Sequence, residues 1–372
     1  MIKEKLIIKN FGPIKDVELE LRSFNILIGD QGTGKSTIAK LLLSIRNTIF
    51  RDLFEIPDEL YNRDTHLFWG HLKLTGIQNY LYEATEILYS DYAYSFEYKN
   101  QVATFEKVKV TVDELLRYDF TYIPSERNLI IPLANSLFAL LETRTALPPL
   151  FLRFGDKFQK ARKERESFDY SNTLGISYKS KETGDIIVLS SGKEIPIHES
   201  SSGIQGVIPL LTVFDFVSKT SPVYSITSSS ILKTGNLLII EEPELNCFPE
   251  TQNKVVKYLI ENNIAITVNN QNIYKNQILL TTHSPYVLTS LNNLLYSHQI
   301  GQNHPEQIEP IVARKYWLNP EDVSAYIMLP NGKCEKIIDN EGLIKAERID
   351  SVSRKLNEEF DLLQDVELGI KN

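Results

Sequence analysis

The segment Gly29-Asp30-Gln31-Gly32-Thr33-Gly34-Lys35-Ser36 constrains this chain more than any other. It fits G-x-x-x-x-G-K-[ST], a loop whose glycines let successive backbone N–H groups converge on phosphate oxygens. The flanks are those such a loop needs. Phe24 to Ile28 is an apolar run that enters as a strand, and Thr37 to Leu43 leaves as a helix. The helix adds its positive N-terminal end. Lys35 is placed to contact the β- and γ-phosphates, and the Ser36 hydroxyl to ligate Mg²⁺. Gly29, Asp30, Gln31, Gly32, Thr33, Gly34, Lys35, Ser36 and Thr37 are thus the expected ATP-binding residues.

A second segment supplies what phosphoryl transfer requires besides a cradle. Leu237-Leu238-Ile239-Ile240-Glu241-Glu242 is an apolar strand ending in two carboxylates, the Walker B pattern. Alternate strand side chains point to opposite faces, so the two glutamates cannot do the same work. Glu241 is expected to approach Mg²⁺, directly or through water. Glu242 is expected to orient and polarise the attacking water.

The chain has 372 residues, 42% of them hydrophobic, enough for one elaborate domain or two lobes. A net charge of −8 gives no global attraction to nucleic acid, although a local basic face remains compatible with it. Two cysteines, Cys247 and Cys334, stand far apart and in no metal-type spacing, which predicts a reducing, cytoplasmic setting. No apolar run approaches the ~20 residues that span a bilayer, so direct membrane insertion is not expected.

Along the chain, residues 5–9 and 16–21 read as strands around the turn Asn10-Phe11-Gly12-Pro13. Residues 45–117 read as an inserted region, helical from Ile77 to Leu88. A hairpin follows in which Tyr92 to Tyr98 joins Val102 to Phe105 through Lys99-Asn100. Its tyrosines alternate at period two, which favours a packed sheet face over a base-stacking platform. Phe120 to Ile123 reads as a strand ending in Ser125-Glu126-Arg127, where Arg127 has either a phosphate or a carboxylate as its expected partner. Residues 132–200 read as a helical lobe with a hairpin. Its basic residues, Arg153 to Arg165, are interleaved with acids as on a solvated helix face. An ATPase head is expected over residues 1–310. A hairpin at Asn331-Gly332 and an amphipathic helix are expected over 311–372. The helix stripe Ile349, Val352, Leu356, Phe360 and Leu363 packs either on the head or on a partner. The fold class is α/β: a P-loop NTPase with a mixed central sheet flanked by helices, an antiparallel β subdomain and a helical lobe.

Four anchors in order resemble the ABC-class P-loop ATPases of the SMC/RecF/OLD type. They are the P-loop with its preceding Asn10-Phe11-Gly12-Pro13 turn, Ser202-Gly203-Ile204-Gln205, Glu241-Glu242-Pro243-Glu244, and Thr281-Thr282-His283-Ser284-Pro285. The second resembles the ABC signature, with Ile204 where the transporter form has glycine. Where the family often has Leu-His-Pro, this chain reads Cys247-Phe248-Pro249.

The resemblance implies a homodimer or higher oligomer of heads that hydrolyses ATP. Ser202, Gly203 and Gln205 of one head would complete the site held by the P-loop of the other. His283 would contact the γ-phosphate, making Lys35, Glu242 and His283 the catalytic set, with Ser36 and Glu241 on the metal. No sustained heptad run occurs from Ser44 to Gly203, so a long bridging arm is not expected. The stretch after His283 is shorter than the ~100–200 residues of an ordinary domain, so no nuclease domain is expected there. The implied role is a dimerising switch that regulates a separate effector, a nuclease or toxin, in anti-phage defence or DNA maintenance. An ATP-binding subunit of a membrane transporter would need the same motifs. The Asn-Phe-Gly-Pro turn, the Glu-Glu-Pro-Glu sequence and the imperfect signature speak against it.

Overall fold

Strands whose side chains are apolar on both faces must be covered on both faces, and that decides the architecture. The computed structural model describes residues 4–51, 63–91, 94–107, 116–134, 147–181, 184–219, 225–227, 230–231, 233–263, 266–268, 271–274, 276–345, 360–361 and 364. Its strands are β1 (Glu4–Phe11), β2 (Ile14–Leu21), β3 (Phe24–Gly29), β4 (Leu81–Ser90), β5 (Tyr94–Lys99), β6 (Val102–Lys107) and β7 (Leu116–Ile123). Next come β8 (Ser167–Tyr170), β9 (Ile176–Lys179), β10 (Ile186–Leu189), β11 (Glu194–Pro196), β12 (Ser225–Thr227), β13 (Ser230–Ile231) and β14 (Lys233–Glu241). The last are β15 (Ile266–Val268), β16 (Gln271–Tyr274), β17 (Gln277–Thr282), β18 (Val323–Met328) and β19 (Cys334–Lys336). The long helices are α1 (Lys35–Arg51), α2 (Arg63–Thr75), α3 (Pro149–Glu164), α4 (Ser202–Lys219), α5 (Pro249–Glu261) and α6 (Pro285–Gly301).

The central sheet runs β19-β18-β3-β17-β14-β7, with β18, β3, β17, β14 and β7 parallel and β19 antiparallel at one edge. The pleat divides its side chains between two cores. Ile26, Ile28, Leu238, Ile240, Ile278 and Leu280 enter one core, with α4, α6 and the β8–β11 sheet. Leu27, Leu237, Ile239 and Leu279 enter the other, with α1 and the antiparallel sheet β2-β1-β4-β5-β6. P-loop, Walker B and His283 segments leave the same end of the sheet, because β3, β14 and β17 are adjacent and parallel. Ligands of open α/β sheets bind at that end.

The segment Ile77 to Leu88 is not helical. Gly76, at φ 76°, ends α2, a short 3₁₀ turn follows, and β4 begins at Leu81. β4 pairs antiparallel with β1, which puts Thr85, Ile87 and Tyr89 inside and Leu88 outside. Tertiary pairing overrides the helix-favouring Glu-Ala-Thr-Glu composition here. The hairpin turn is Asn100-Gln101, both at positive φ, one residue beyond the expected Lys99-Asn100. Tyr94, Phe96 and Tyr98 are buried, as a packed sheet face requires.

The hairpin around Asn331-Gly332 belongs to the central sheet, where β18 lies directly beside β3. Of the C-terminal stripe, Phe360 is described and exposed. Ile349, Val352, Leu356 and Leu363 lie outside the described residues.

Candidate nucleotide site

The loop between β3 and α1 is shaped by three glycines and seated by its neighbours. Gly29, Gly32 and Gly34 have φ of 156°, 75° and 99°. A Cβ at Gly29 would lie 2.5 Å from the Met328 carbonyl of β18, and one at Gly34 would lie 3.1 Å from Ile14. The turn Phe11 to Ile14 therefore packs on the P-loop. Asn10 and Gly12, at φ 50° and 52°, give that turn its curl. Thr33 Oγ1 donates to the Asp30 carbonyl at 2.8 Å, while Asp30 and Gln31 face solvent. Ser36 is half-buried at the start of α1, and Thr37 is buried one residue on.

Lys35 is 5% exposed, and its Nζ donates to the carbonyls of Gly29 at 2.8 Å and Asp30 at 2.9 Å. The ammonium is thus curled over the cradle. Burial lowers its pKa, and the charges of Glu242, Asp30 and Glu244 oppose that shift. The same Nζ lies 3.5 Å from His283 Nδ1, and His283 Nε2 lies 3.6 Å from Glu242 Oε1. One line of side chains, Lys35–His283–Glu242, joins residues 248 positions apart.

The two Walker B carboxylates do diverge. Glu241 ends β14 and is 4% exposed; its carboxylate lies near the buried Tyr122 hydroxyl, and its Oε1 is buried with no hydrogen-bond partner among the described residues. Glu242 leaves the strand at φ 44°, a left-handed conformation that is strained for a non-glycine residue, and is about a third exposed. Burial raises its pKa, His283 works against the shift, and Glu244 and Glu241 add to it. A buried carboxylate oxygen without a protein partner is costly unless a cation or water completes it. Among the described residues no group of three or more His, Cys, Asp or Glu could hold a metal by itself. Ser36 and Glu241 fit an ion such as Mg²⁺, which takes one or two protein oxygens and fills its remaining positions with phosphate and water.

Two residues hold this constellation in ways the motifs did not announce. Glu244 Oε1 accepts from Thr282 Oγ1 at 2.7 Å and from the His283 N–H at 2.8 Å, so it fixes the backbone that carries His283. The signal was present in Glu-Glu-Pro-Glu, which has one carboxylate more than metal and water require. Arg127 is wholly buried, and among the described residues its guanidinium makes no ion pair with the expected carboxylate. It donates to backbone carbonyls instead: Pro124 at 3.1 Å, Glu241 at 2.7 Å, Glu242 at 2.6 Å and Gly206 at 3.2 Å. Burial pushes its pKa down to about 10, which leaves it charged at neutral pH.

Ser202 opens α4, an 18-residue helix, and is exposed at its N-terminus. Gly203 lies against the loop after Walker B, where a Cβ would come within 2.6 Å of the Asn246 carbonyl. Gln205 turns inward, its Nε2 donating to Ser200 O at 2.8 Å and His198 O at 3.1 Å, so its amide shapes the loop before α4. Among the described residues no helix is long and apolar enough to cross a membrane.

The chain is similar to the SMC head domain from Thermotoga maritima at 12% identity, covering 91% of this chain and 98% of that one, with a TM-score of 0.41. It is similar to the Smc head with an extended coiled coil bound to the C-terminal domain of ScpA, derived from Pyrococcus furiosus. There identity is 10%, coverage 98% and 99%, and the TM-score 0.43. The recombination mediator protein RecF–ATPrS of the RecFOR pathway gives 11%, 91% and 98%, and 0.40. No curated protein matches the chain. A family model described as an AAA ATPase domain matches residues 1–126 and 142–288, most of the chain, and takes in the P-loop, Glu241 to Glu244 and His283. With its P-loop and mixed α/β fold, the chain belongs to the AAA ATPase domain family.

Proposed function

We propose that this ATPase works as a dimerising switch, in which two heads close on two ATP molecules and reopen on hydrolysis, and that the switch regulates a separate effector. The observation that carries the reading is the line Lys35–His283–Glu242 across three adjacent segments, with the exposed Ser202 end of α4 left outside it. Lys35 neutralises the β- and γ-phosphates, exchanging two loop carbonyls for phosphate oxygens. Glu242, made a better proton acceptor by its raised pKa, orients and polarises the attacking water. His283, between them, contacts the γ-phosphate and registers its loss. Mg²⁺ held at Ser36 and Glu241 would neutralise charge on the phosphate oxygens.

The Ser202 hydroxyl and the first N–H groups of α4 form an anion site at a helix N-terminus. In the proposed dimer they meet the γ-phosphate on the partner head, and each site is composite. Thr37 and the P-loop backbone complete the cradle. Such a bistable interface can gate a bound nuclease or toxin. The resemblance to SMC/RecF/OLD-type ATPases supports an anti-phage or DNA-maintenance setting.

Glu242→Gln keeps the side-chain shape and removes the proton acceptor, so it should bind ATP–Mg²⁺ and hold the closed dimer. Light scattering after size exclusion should show the doubled mass with ATP and the single mass without it. Normal turnover with no ATP-dependent association would overturn the reading. For the regulatory role, the purified chain should neither cut nucleic acid nor arrest growth when expressed alone. Nuclease activity that vanishes with a point change in this chain would refute it.

A further inference from the structure

Arg127 joins parts of the molecule that serve different ends. Its guanidinium uses four of five N–H donors on carbonyls from three places: Pro124 after β7, Glu241 and Glu242 at the end of Walker B, and Gly206 in the second turn of α4. The bond to Glu242 O, at 2.6 Å, fixes the carbonyl of a residue whose backbone is left-handed. The bond to Gly206 O ties the same cation to the helix that begins at Ser202. A second contact reinforces the junction, since Gly203 rests against Asn246 O with no room for a Cβ. The water-orienting turn and the anion-binding end of α4 are therefore pinned to each other inside one head.

In a dimer with composite sites, those two parts of one head belong to different nucleotides. Glu242 acts on the ATP in its own P-loop, and Ser202 acts on the ATP of the partner. We propose that Arg127 is a positioning residue that couples the two nucleotide sites, by making the Glu242 turn and α4 of each head move as one piece. This rests on the composite-site reading above. A fork of parallel N–H groups is needed, because a single ammonium cannot span carbonyls on both sides of the junction.

The test uses full-length chains in mixed dimers. A head carrying Ser202→Arg retains its P-loop, and a head carrying Lys35→Ala retains its signature. Together they make one working site. Arg127→Lys or Arg127→Gln is then added to the Lys35→Ala head, whose own Glu242 has no nucleotide to act on. The Gln variant introduces no buried charge, and whichever variant melts cooperatively is used. Coupling predicts that turnover at the working site falls about tenfold in kcat, with the ATP concentration for half-maximal rate changed less than threefold. An unchanged kcat would mean that Arg127 serves only its own Walker B turn, and the proposal would be wrong. If the reference pair without the Arg127 change assembles and stays inactive, the composite site itself fails and the coupling falls with it. The two failures are thus distinguished.

Discussion

Glu244→Ala should impair turnover without touching a phosphate. Glu244 Oε1 accepts two hydrogen bonds, from the wholly buried Thr282 hydroxyl and from the His283 amide. Bonds to an ionised acceptor contribute ~1.5–3 kcal/mol each. Part of that is offset, because among the described residues Glu244 Oε2 is buried without a partner and its charge repels Glu242. A net loss of about 2–4 kcal/mol in unfolding free energy is expected. Freeing the His283 backbone loosens the ring between Lys35 and Glu242, and a loss of about 10–100-fold in kcat corresponds to ~1.4–2.7 kcal/mol. The charge has a separate readout. Glu244 helps hold the Glu242 pKa above its ordinary 4.5, so removing it should move the acid limb of the kcat profile to lower pH. Glu244→Gln retains an acceptor oxygen and should lose less than about tenfold, yet show the same shift of the limb. Urea unfolding and phosphate release across pH measure all three effects. A kcat within about threefold of wild type for Glu244→Ala, with the acid limb unmoved, would refute the assignment.

Lys35→Ala should abolish ATP binding measured by titration calorimetry, since the predicted P-loop cation is lost; near-normal affinity would remove Lys35 from the site. The pH dependence of the wild type follows from two shifts of opposite sign. Glu242 must be deprotonated to accept a proton, and its pKa is raised, so kcat should climb through a midpoint above 4.5. Lys35 must stay protonated to bind phosphate, and burial lowers its pKa, so affinity should fall through a midpoint below 10.5. A Glu242→Gln enzyme whose residual rate kept the acid limb would exclude Glu242 as its source. Gly29→Ala should cost binding as well as stability, because its Cβ meets the Met328 carbonyl at 2.5 Å and backbone must shift; an unchanged melting temperature and affinity would show the loop to be more yielding.

The nucleotide cradle was legible because it is local. One octapeptide carries the glycines, the lysine and the hydroxyl, and a strand and a helix flank it in sequence. His283 and Glu242 were legible only as motifs in order, and their approach to Lys35 depends on β3, β17 and β14 being neighbours in the sheet. β4 was misread because its pairing with β1 spans about 80 residues, while its local composition suits a helix. The Arg127 network was hidden for a chemical reason. Its acceptors are backbone carbonyls, which every residue carries, so no residue type at Pro124, Glu241, Glu242 or Gly206 marks them as partners. Gln205 reads as part of a signature, yet its amide is spent on the loop before α4.

The composite site is the centre of the account, and complementation in mixed dimers tests it most directly. Ser202→Arg places a bulky cation at the start of α4, and Lys35→Ala empties the P-loop of its charge, so each chain alone should be inactive. Mixed, they should regain one intact site, built from the P-loop of the first and Ser202 and Gly203 of the second. ATP-dependent phosphate release from the mixture, at about a quarter of wild type if the chains pair at random and each active dimer has one of two sites, is the predicted result. Silence from a mixture shown by mass to contain heterodimers would contradict a site shared between heads.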